Sequence, residues 1–379
     1  MMKLGDICSF QSGGTPSRSN SKYFNGTIPW ITTVALTGGV IDENSAVEFI
    51  SDDAIRQSAA KIVKPYSIMV GTRVGVGKVA INSVAMSTSQ DVVSLIDIDE
   101  TKWNKMFLVK FIQAKNNFLN SQARGATIKG IKIEVLAELE LPDIDLPTQR
   151  WIADTLDKVS EGIEVCRKML GELDLMVKAK FGEMFGDAKV NPFDWVQSTI
   201  GASCTLKSGT SLPLEKENEG GNIPYVKVGD MNYVGNEKYI TTSSRFVTEE
   251  TAGVGIFPVG SVVFPKRGGA IGTNKKRLTS VPICADLNVM GVIPGKQLLP
   301  QYLLAYFDTI DLGLLNNGSS VPQINNKDIA PLIISIPPIE LQEQFATFVS
   351  KIDKSRLTIQ QVLSKMELER KVLMQKYFG

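Results

Sequence analysis

Ile336-Pro337-Pro338-Ile339-Glu340-Leu341-Gln342-Glu343-Gln344-Phe345-Ala346 decides how this chain is read, because a worn copy of it stands earlier. Leu141-Pro142-Asp143-Ile144-Asp145-Leu146-Pro147-Thr148-Gln149-Arg150-Trp151-Ile152-Ala153 places Gln149 against Gln342 and Ala153 against Ala346, an offset of 193 (342 − 149). Proline rigidifies the entry and cannot sit in a helix interior, so each segment predicts a helix starting just after it. Thr148 to Phe185 then steps by fours and threes through Ile152, Leu156, Val159, Ile163, Cys166, Leu170, Leu173, Val177, Lys180 and Met184. The second copy, Leu341 to Phe378, repeats the register with Phe345, Val349, Ile352, Arg356, Ile359, Leu363, Met366, Arg370, Leu373 and Tyr377. Spacing of this kind over more than four heptads predicts coiled-coil pairing. Each helix could instead pack only on its own domain. Against that stands a length of ~57 Å at 1.5 Å per residue, more than such a domain needs.

The doubling runs outward from the helices. Leu4-Gly5 returns at Ile200-Gly201, Ile28-Pro29-Trp30-Ile31 at Ile223-Pro224-Tyr225-Val226, and Gly125 falls on Gly318. A period this long is no solenoid repeat, whose unit is roughly 20–50 residues. It is a domain plus connector used twice, which predicts an internal pseudo-twofold. The expected segments are a first domain at 1–147, a helix at 148–186, a second domain at 187–340 and a helix at 341–379. Within the domains, short β-type runs (Ile62-Val63, Ser67 to Val70, Val79 to Ile81, Val92 to Ile96; Ser261 to Phe264, Val289 to Ile293) precede a helix at about 103–121 and 300–315. Strands followed by a helix, with Gly/Ser/Asn-rich loops between them, predict an α+β fold.

Composition narrows the chemistry. The 379 residues include no histidine, which removes Ser-His-Asp and Cys-His nucleophiles and H-E-x-x-H zinc sites. Four scattered cysteines without a C-x-x-C pair argue for buried, reduced thiols and against a structural zinc. No window is apolar enough to span a membrane, and Met1 leads straight into the repeat, so a cytoplasmic protein without a secretory leader is expected. Net charge is only +1, bland for a nucleic-acid binder unless the positive charge is concentrated or a partner supplies it.

Three loop clusters recur in both halves. They are Gln11 to Arg18 with Lys207 to Pro213, Gly71 to Lys78 with Pro265 to Gly272, and Arg124 to Ile131 with Asn317 to Ile324. The second is not a P-loop, since Thr72 and Val79 stand where G-x-x-x-x-G-K-[ST] needs Gly and Ser or Thr. Gly75-Val76-Gly77 leads into a β-type run rather than the helix a dinucleotide fingerprint requires. Asn191-Pro192-Phe193 reads as a linker turn. What remains is glycine, which lets backbone approach a ligand closely, beside Arg and Lys that suit phosphate or guanine and Gln that suits adenine. Each loop alone could equally be a plain hairpin turn.

Together these features resemble the specificity subunit of type I restriction–modification systems. The likeness spans essentially the whole chain: Leu4-Gly5-Asp6-Ile7, Ser12-Gly13-Gly14-Thr15-Pro16, Ile28-Pro29-Trp30-Ile31, the Gly71-Thr72-Arg73 to Gly77-Lys78-Val79-Ala80 hairpin, and the Ile336 to Ala346 passage. The resemblance implies two target recognition domains, each reading one half of a split double-stranded DNA site in the major groove. It implies two long antiparallel helices that set the gap between half-sites. It also implies docking of two methyltransferase subunits and two ATP-driven restriction subunits. Those partners would hold S-adenosylmethionine, ATP and Mg, and this chain would hold no cofactor and do no catalysis. The competing reading is a two-domain coiled-coil scaffold without DNA specificity. Base contacts do not carry over from the resemblance. The expected DNA-binding residues are Arg18, Arg73, Lys78, Arg124 and Lys129, then Lys266, Arg267, Lys275, Lys276, Arg277 and Gln323. The expected helix–helix interface is Ile152, Leu156, Val159, Ile163, Leu170 and Leu173 against Phe345, Val349, Ile352, Ile359, Leu363 and Met366.

Overall fold

The computed structural model describes residues 2–125, 129–315 and 321–379. The expected equivalence of Gly125 and Gly318 and much of the third loop cluster (126–128 and 317–320) lie outside the described residues. Two compact units make up the chain, one formed by Met1–Cys166 with Gln361–Gly379 and the other by Arg167–Gln360.

The first unit contains strands β1 (Ser9–Ser12), β2 (Ile28–Ile31), β3 (Val40–Ile41), β4 (Glu48–Ile50), β5 (Ile62–Val63), β6 (Ile68–Gly71), β7 (Val79–Asn82), β8 (Met86–Thr88) and β9 (Val92–Ile96). They form one sheet in the order β1-β9-β6-β7-β3 and a second in the order β4-β2-β8-β5. Helix α1 (Asp52–Gln57) lies between β4 and β5, α2 (Lys105–Ala114), α3 (Asn116–Gln122) and α4 (Ile133–Ala137) follow the strands, and α5 (Leu146–Phe185) starts here. Why β6 and β9 are apolar nearly throughout is clear from the layers. Ile68, Val70 and Leu95 face Phe107, Leu108 and Phe111 of α2, while Met69 and Val92 face Ile31, Val63 and Met86 of the second sheet. A strand covered on both faces loses the apolar–polar alternation of a half-buried one. The single helix expected at about 103–121 is broken at Lys115, whose ψ of 3° leaves the helical range.

The second unit repeats the plan. Its strands are β10 (Val196–Thr199), β11 (Cys204–Ser208), β12 (Ile223–Val226), β13 (Tyr239–Ile240), β14 (Phe246–Val247), β15 (Ile256–Phe257), β16 (Val262–Pro265), β17 (Arg277–Thr279), β18 (Ile283–Ala285), β19 (Val289–Pro294) and β20 (Ile333–Ile336). The sheet orders β11-β19-β16-β17-β13 and β14-β12-β18-β15 match those of the first unit strand for strand, and β10 pairs with β20. Even the parallel pairings coincide: β2 with β8 and β3 with β7, then β12 with β18 and β13 with β17. Helices α6 (Ile200–Ser203), α7 (Glu249–Ala252), α8 (Pro300–Asp308) and α9 (Asn326–Ile329) precede α10 (Ile339–Phe378). The fold is α+β with an internal repeat.

Helices α5 and α10 are 40 residues each and run antiparallel wherever they meet within a unit. In the first unit Trp151 stacks edge-on against Tyr377 at 6.1 Å, and the space beside Gly162 holds the Met366 methyl. In the second, Arg356 donates to Asp174 at 2.5 Å, and Phe345 packs against Phe181 and Phe185 at 5.7 and 5.4 Å. The 4-3 stripe is not one uniform seam. Ile152, Leu156, Val159, Ile163, Phe345, Val349 and Ile352 are buried, whereas Leu170, Leu173, Ile359, Leu363 and Met366 are half-buried. Ile152 and Leu156 also belong to the core over α2, and Phe345 and Val349 to the core over α8. Each helix therefore packs on its own domain at its start and on the other helix as well.

Candidate nucleic-acid interface

In each unit the backbone draws the loop clusters to one end of the five-stranded sheet. β1 runs out at Ser12, after which Gly13 N–H donates to Val92 O and Gly14 N–H to Thr88 O. A side chain at Gly13 would meet the Thr88 and Ser89 backbone at under 3 Å, so the loop can lie this close only as glycine. β6 runs out at Gly71, and Thr72 N–H donates to Asp91 O at 2.8 Å. The third cluster closes over the second, with Ile131 N–H on Thr72 O at 2.8 Å and Arg124 and Gly130 exchanging backbone bonds at 2.9 and 3.0 Å. The second unit makes the same bonds with different residues: Gly209 N–H to Val289 O, Lys266 N–H to Asn288 O and Ile324 N–H to Lys266 O. Arg267 pairs across to Gln323 there, and Lys266 Nζ donates to Ser208 Oγ at 2.8 Å, tying the first cluster to the second.

At this sheet end Arg73, Lys78, Arg124 and Lys129 of the first unit and Arg267 of the second are exposed. Among the described residues none of the five has an ion-pair partner. Val74, 57% exposed, stands beside Arg73 as an apolar tip that sequence reading did not single out. Gln323 is half-buried and donates to Asn325 Oδ1 at 2.7 Å, and Lys266 is buried and desolvation lowers its ammonium pKa. The sheet end is thus a hydrogen-bonded loop lattice fringed by exposed cations, an arrangement that suits a polyanion.

The other candidates are placed differently. Arg18 holds Glu48 with both guanidinium nitrogens and lies over the rings of Phe24 and Trp30 at 4.6 and 5.6 Å. The Arg18 bond keeps the Glu48 carboxyl below its usual range, so much of this local charge is neutralised. Lys275, Lys276 and Arg277 do not join Arg267. They line a cleft with Lys178, Asp308, Asp353 and Arg356. Lys276 is buried, donates to Ile310 O at 2.6 Å and to Asn274 Oδ1 at 2.9 Å, and burial pushes its ammonium down to about 8. Arg277 donates to Asn236 O and Lys276 O at 2.7 and 2.9 Å. Lys275 donates to Asn232 Oδ1.

The repeat-equivalent glutamines have a role that sequence reading saw only as a match. Gln149 accepts the Asn104 N–H and donates to Lys102 O and Ile144 O. Gln342 accepts the Leu299 N–H and donates to Gln297 O and Pro337 O. Both are buried and join the start of a long helix to the segment that opens the domain helix.

The family model described as "Type I restriction modification DNA specificity domain" matches twice, over residues 1–174 and 192–370. The chain belongs to the type I restriction–modification specificity-subunit family. Members are the DNA-specificity components of these systems, not their catalytic ones, so the scaffold reading without DNA specificity falls. Similar curated relatives include the type I restriction enzyme MjaIX specificity subunit of Methanocaldococcus jannaschii, 23% identical over 99% of this chain and 91% of that protein. The EcoR124I/EcoR124II specificity subunit of Escherichia coli is 26% identical over 41% of this chain and 39% of that protein. The crystal structure of the type I system S subunit from M. genitalium covers 100% of this chain and 95% of its own, with a TM-score of 0.61 at 16% identity, and so shares the fold. A structure titled for complex assembly and conformational transition of the type I R-M system matches equally, with a TM-score of 0.61 at 16% identity over 100% of this chain and 96% of its own. Among the described residues no helix is long and apolar enough to cross a membrane.

Proposed function

We propose that the loop end of each unit reads one half of a bipartite double-stranded DNA site, with residues 1–147 and 187–340 as the two recognition domains. The observation that carries this reading is the convergence of repeat-equivalent loops on one sheet end in both units, with a free guanidinium in each, Arg73 and Arg267. Arginine offers guanine a bidentate pair, and Lys78, Arg124 and Lys129 supply phosphate contacts around it. Gln323 reads an adenine edge once it leaves Asn325, and Arg18, held by Glu48, adds a fixed contact. Lys266 supports the loops from behind through Ser208, while Lys275, Lys276 and Arg277 serve the fold beside the cleft through Asn232, Ile310 and Asn236.

The segments 148–186 and 341–379 set the spacer and dock the partner subunits. Their exposed apolar side chains support this: Trp151, Val165, Leu368 and Val372 in the first unit, Leu175, Met176 and Leu357 in the second. Apolar surface of this kind on a long helix marks an interaction face. The partners are two methyltransferase subunits, which bring S-adenosylmethionine, and two restriction subunits, which bring ATP and Mg, all in the cytoplasm. Methylome sequencing with the gene present and deleted tests the reading. A bipartite methylated adenine motif that vanishes on deletion is expected, and an unchanged methylome overturns it.

A further inference from the structure

Each unit leaves a cleft between its domain and its own length of the helix pair. The first unit's cleft, 1310 Å³, is lined by Gly38, Gly39, Lys110, Asp157, Glu161 and Arg370 among others. The second unit's, 630 Å³, lies at the corresponding place and includes Lys238, Tyr239, Asp308, Asp353 and Arg356. On one side of the cleft each domain is rooted to its helix, through Gln149 in one unit and through Gln342 and the Phe345–Phe181–Tyr302 cluster in the other. A body rooted at one side and separated by a cleft at the other can tilt, unless something spans the gap.

Among the described residues a lysine–aspartate pair spans it in each unit, and the repeat does not supply the pair. In the first unit Lys110 Nζ lies 2.5 Å from Asp157 Oδ1, joining α2 to α5. At the offset of 193 Asp157 falls on Ser350, so the second unit lacks this bridge. There Lys238 Nζ donates to Asp353 Oδ1 at 2.7 Å and Tyr239 OH to the other carboxylate oxygen, joining the edge of the five-stranded sheet to α10. Asp353 falls on Ser160 in turn (353 − 193), so the first unit lacks that one. Both partners in the second pair are 21% exposed, within reach of water yet held. An ion pair so placed adds little to stability. Two donors on one carboxylate do, however, fix direction.

We propose that Asp353, gripped by Lys238 and Tyr239, is a positioning residue that sets the tilt of the second recognition domain on its helices and thereby the spacer length the subunit accepts. This rests on the bipartite reading proposed above. Helix length alone fixes where the domain is rooted, and the pair across the cleft fixes the angle at which its loop end leaves that root.

The test uses the methyltransferase complex assembled with this subunit, and duplexes carrying both half-sites at the native spacer or one base pair shorter or longer. Half-site point variants at the native spacer form a second set. For Asp353→Asn, and independently for Lys238→Met with Tyr239→Phe, the preference for the native over the altered spacers is expected to fall by about tenfold, within the usual range of coupling between sites. Discrimination among half-site variants stays as in the wild type. Spacer preference equal to wild type in both variants overturns the proposal, as does an equal loss of methylation on every duplex, which is the mark of a merely structural role. If the wild-type complex itself methylates no bipartite site, the proposed function has failed and the positioning role with it.

Discussion

Gln342 is fully buried with its amide committed to three bonds, one from Leu299 N–H at 2.8 Å and two to Gln297 O and Pro337 O at 2.9 and 3.0 Å. Removing that amide leaves the buried Pro337 O bond and the partly buried Leu299 N–H and Gln297 O bonds unmade, each at a desolvation cost that grows with its burial. Gln342→Leu is therefore expected to lower unfolding free energy by about 3 kcal/mol in a denaturant titration. A loss below about 0.5 kcal/mol, the range of an ordinary surface change, would contradict the assignment. The repeat made Gln149 and Gln342 visible as a pair, but the domain partners that explain them, Asn104 and Leu299, lie 45 and 43 residues away, beyond any local motif. The same distance explains the uneven legibility of the basic residues. Sequence identifies a cation but not whether its donors are taken, and Lys276 meets Ile310 O across 34 residues while Arg18 meets Glu48 across 30. Arg73 and Arg267 are exposed at the loop tips, where a glycine-rich turn is a local and readable signal.

The long helices were the most legible elements, because a 3-4 apolar rhythm and a proline at the entry are both local. Their starts at Leu146 and Ile339 fall two residues before the expected Thr148 and Leu341. Pro147 is accommodated in the first turn, where its missing N–H costs nothing. Less legible was the division of labour along each helix, since the same stripe faces a domain core at one end and a helix at the other. Glycine placement in α5 shows the difference. A Cβ at Gly162 would fall 2.1 Å from Met366 Cε, whereas at Gly171 and Gly182 it would meet nothing within 4 Å. Gly171→Ala and Gly182→Ala are each expected to stabilise by about 1 kcal/mol through helix propensity and a less disordered unfolded chain. Thermal unfolding of both single variants checks this, and a lowered midpoint in either would show contacts at that face within the isolated subunit.

At the scale of the whole chain, the doubling was evident from residue pairs, and the α+β class from strand runs followed by a helix. The sheet topology was not. Strands as short as Val40–Ile41 and Ile62–Val63 carry no period, and the parallel pairing of β3 with β7 joins segments some forty residues apart. Such pairings are decided by the three-layer packing around Met69, Val92 and their counterparts Val263 and Val289, not by local preference. What the repeated topology conserves is a sheet end with its loop lattice, and what differs between units is the side chains on it. That is the pattern expected of one scaffold reading two different sequences.

Methylome sequencing of cells carrying Arg73→Ala or Arg267→Ala in place of the wild-type subunit tests this most directly. A bipartite adenine motif is expected that Arg73→Ala relaxes at a position in one half only and Arg267→Ala relaxes in the other half only. Relaxation of the same half by both variants, or an unchanged motif in both, would contradict it.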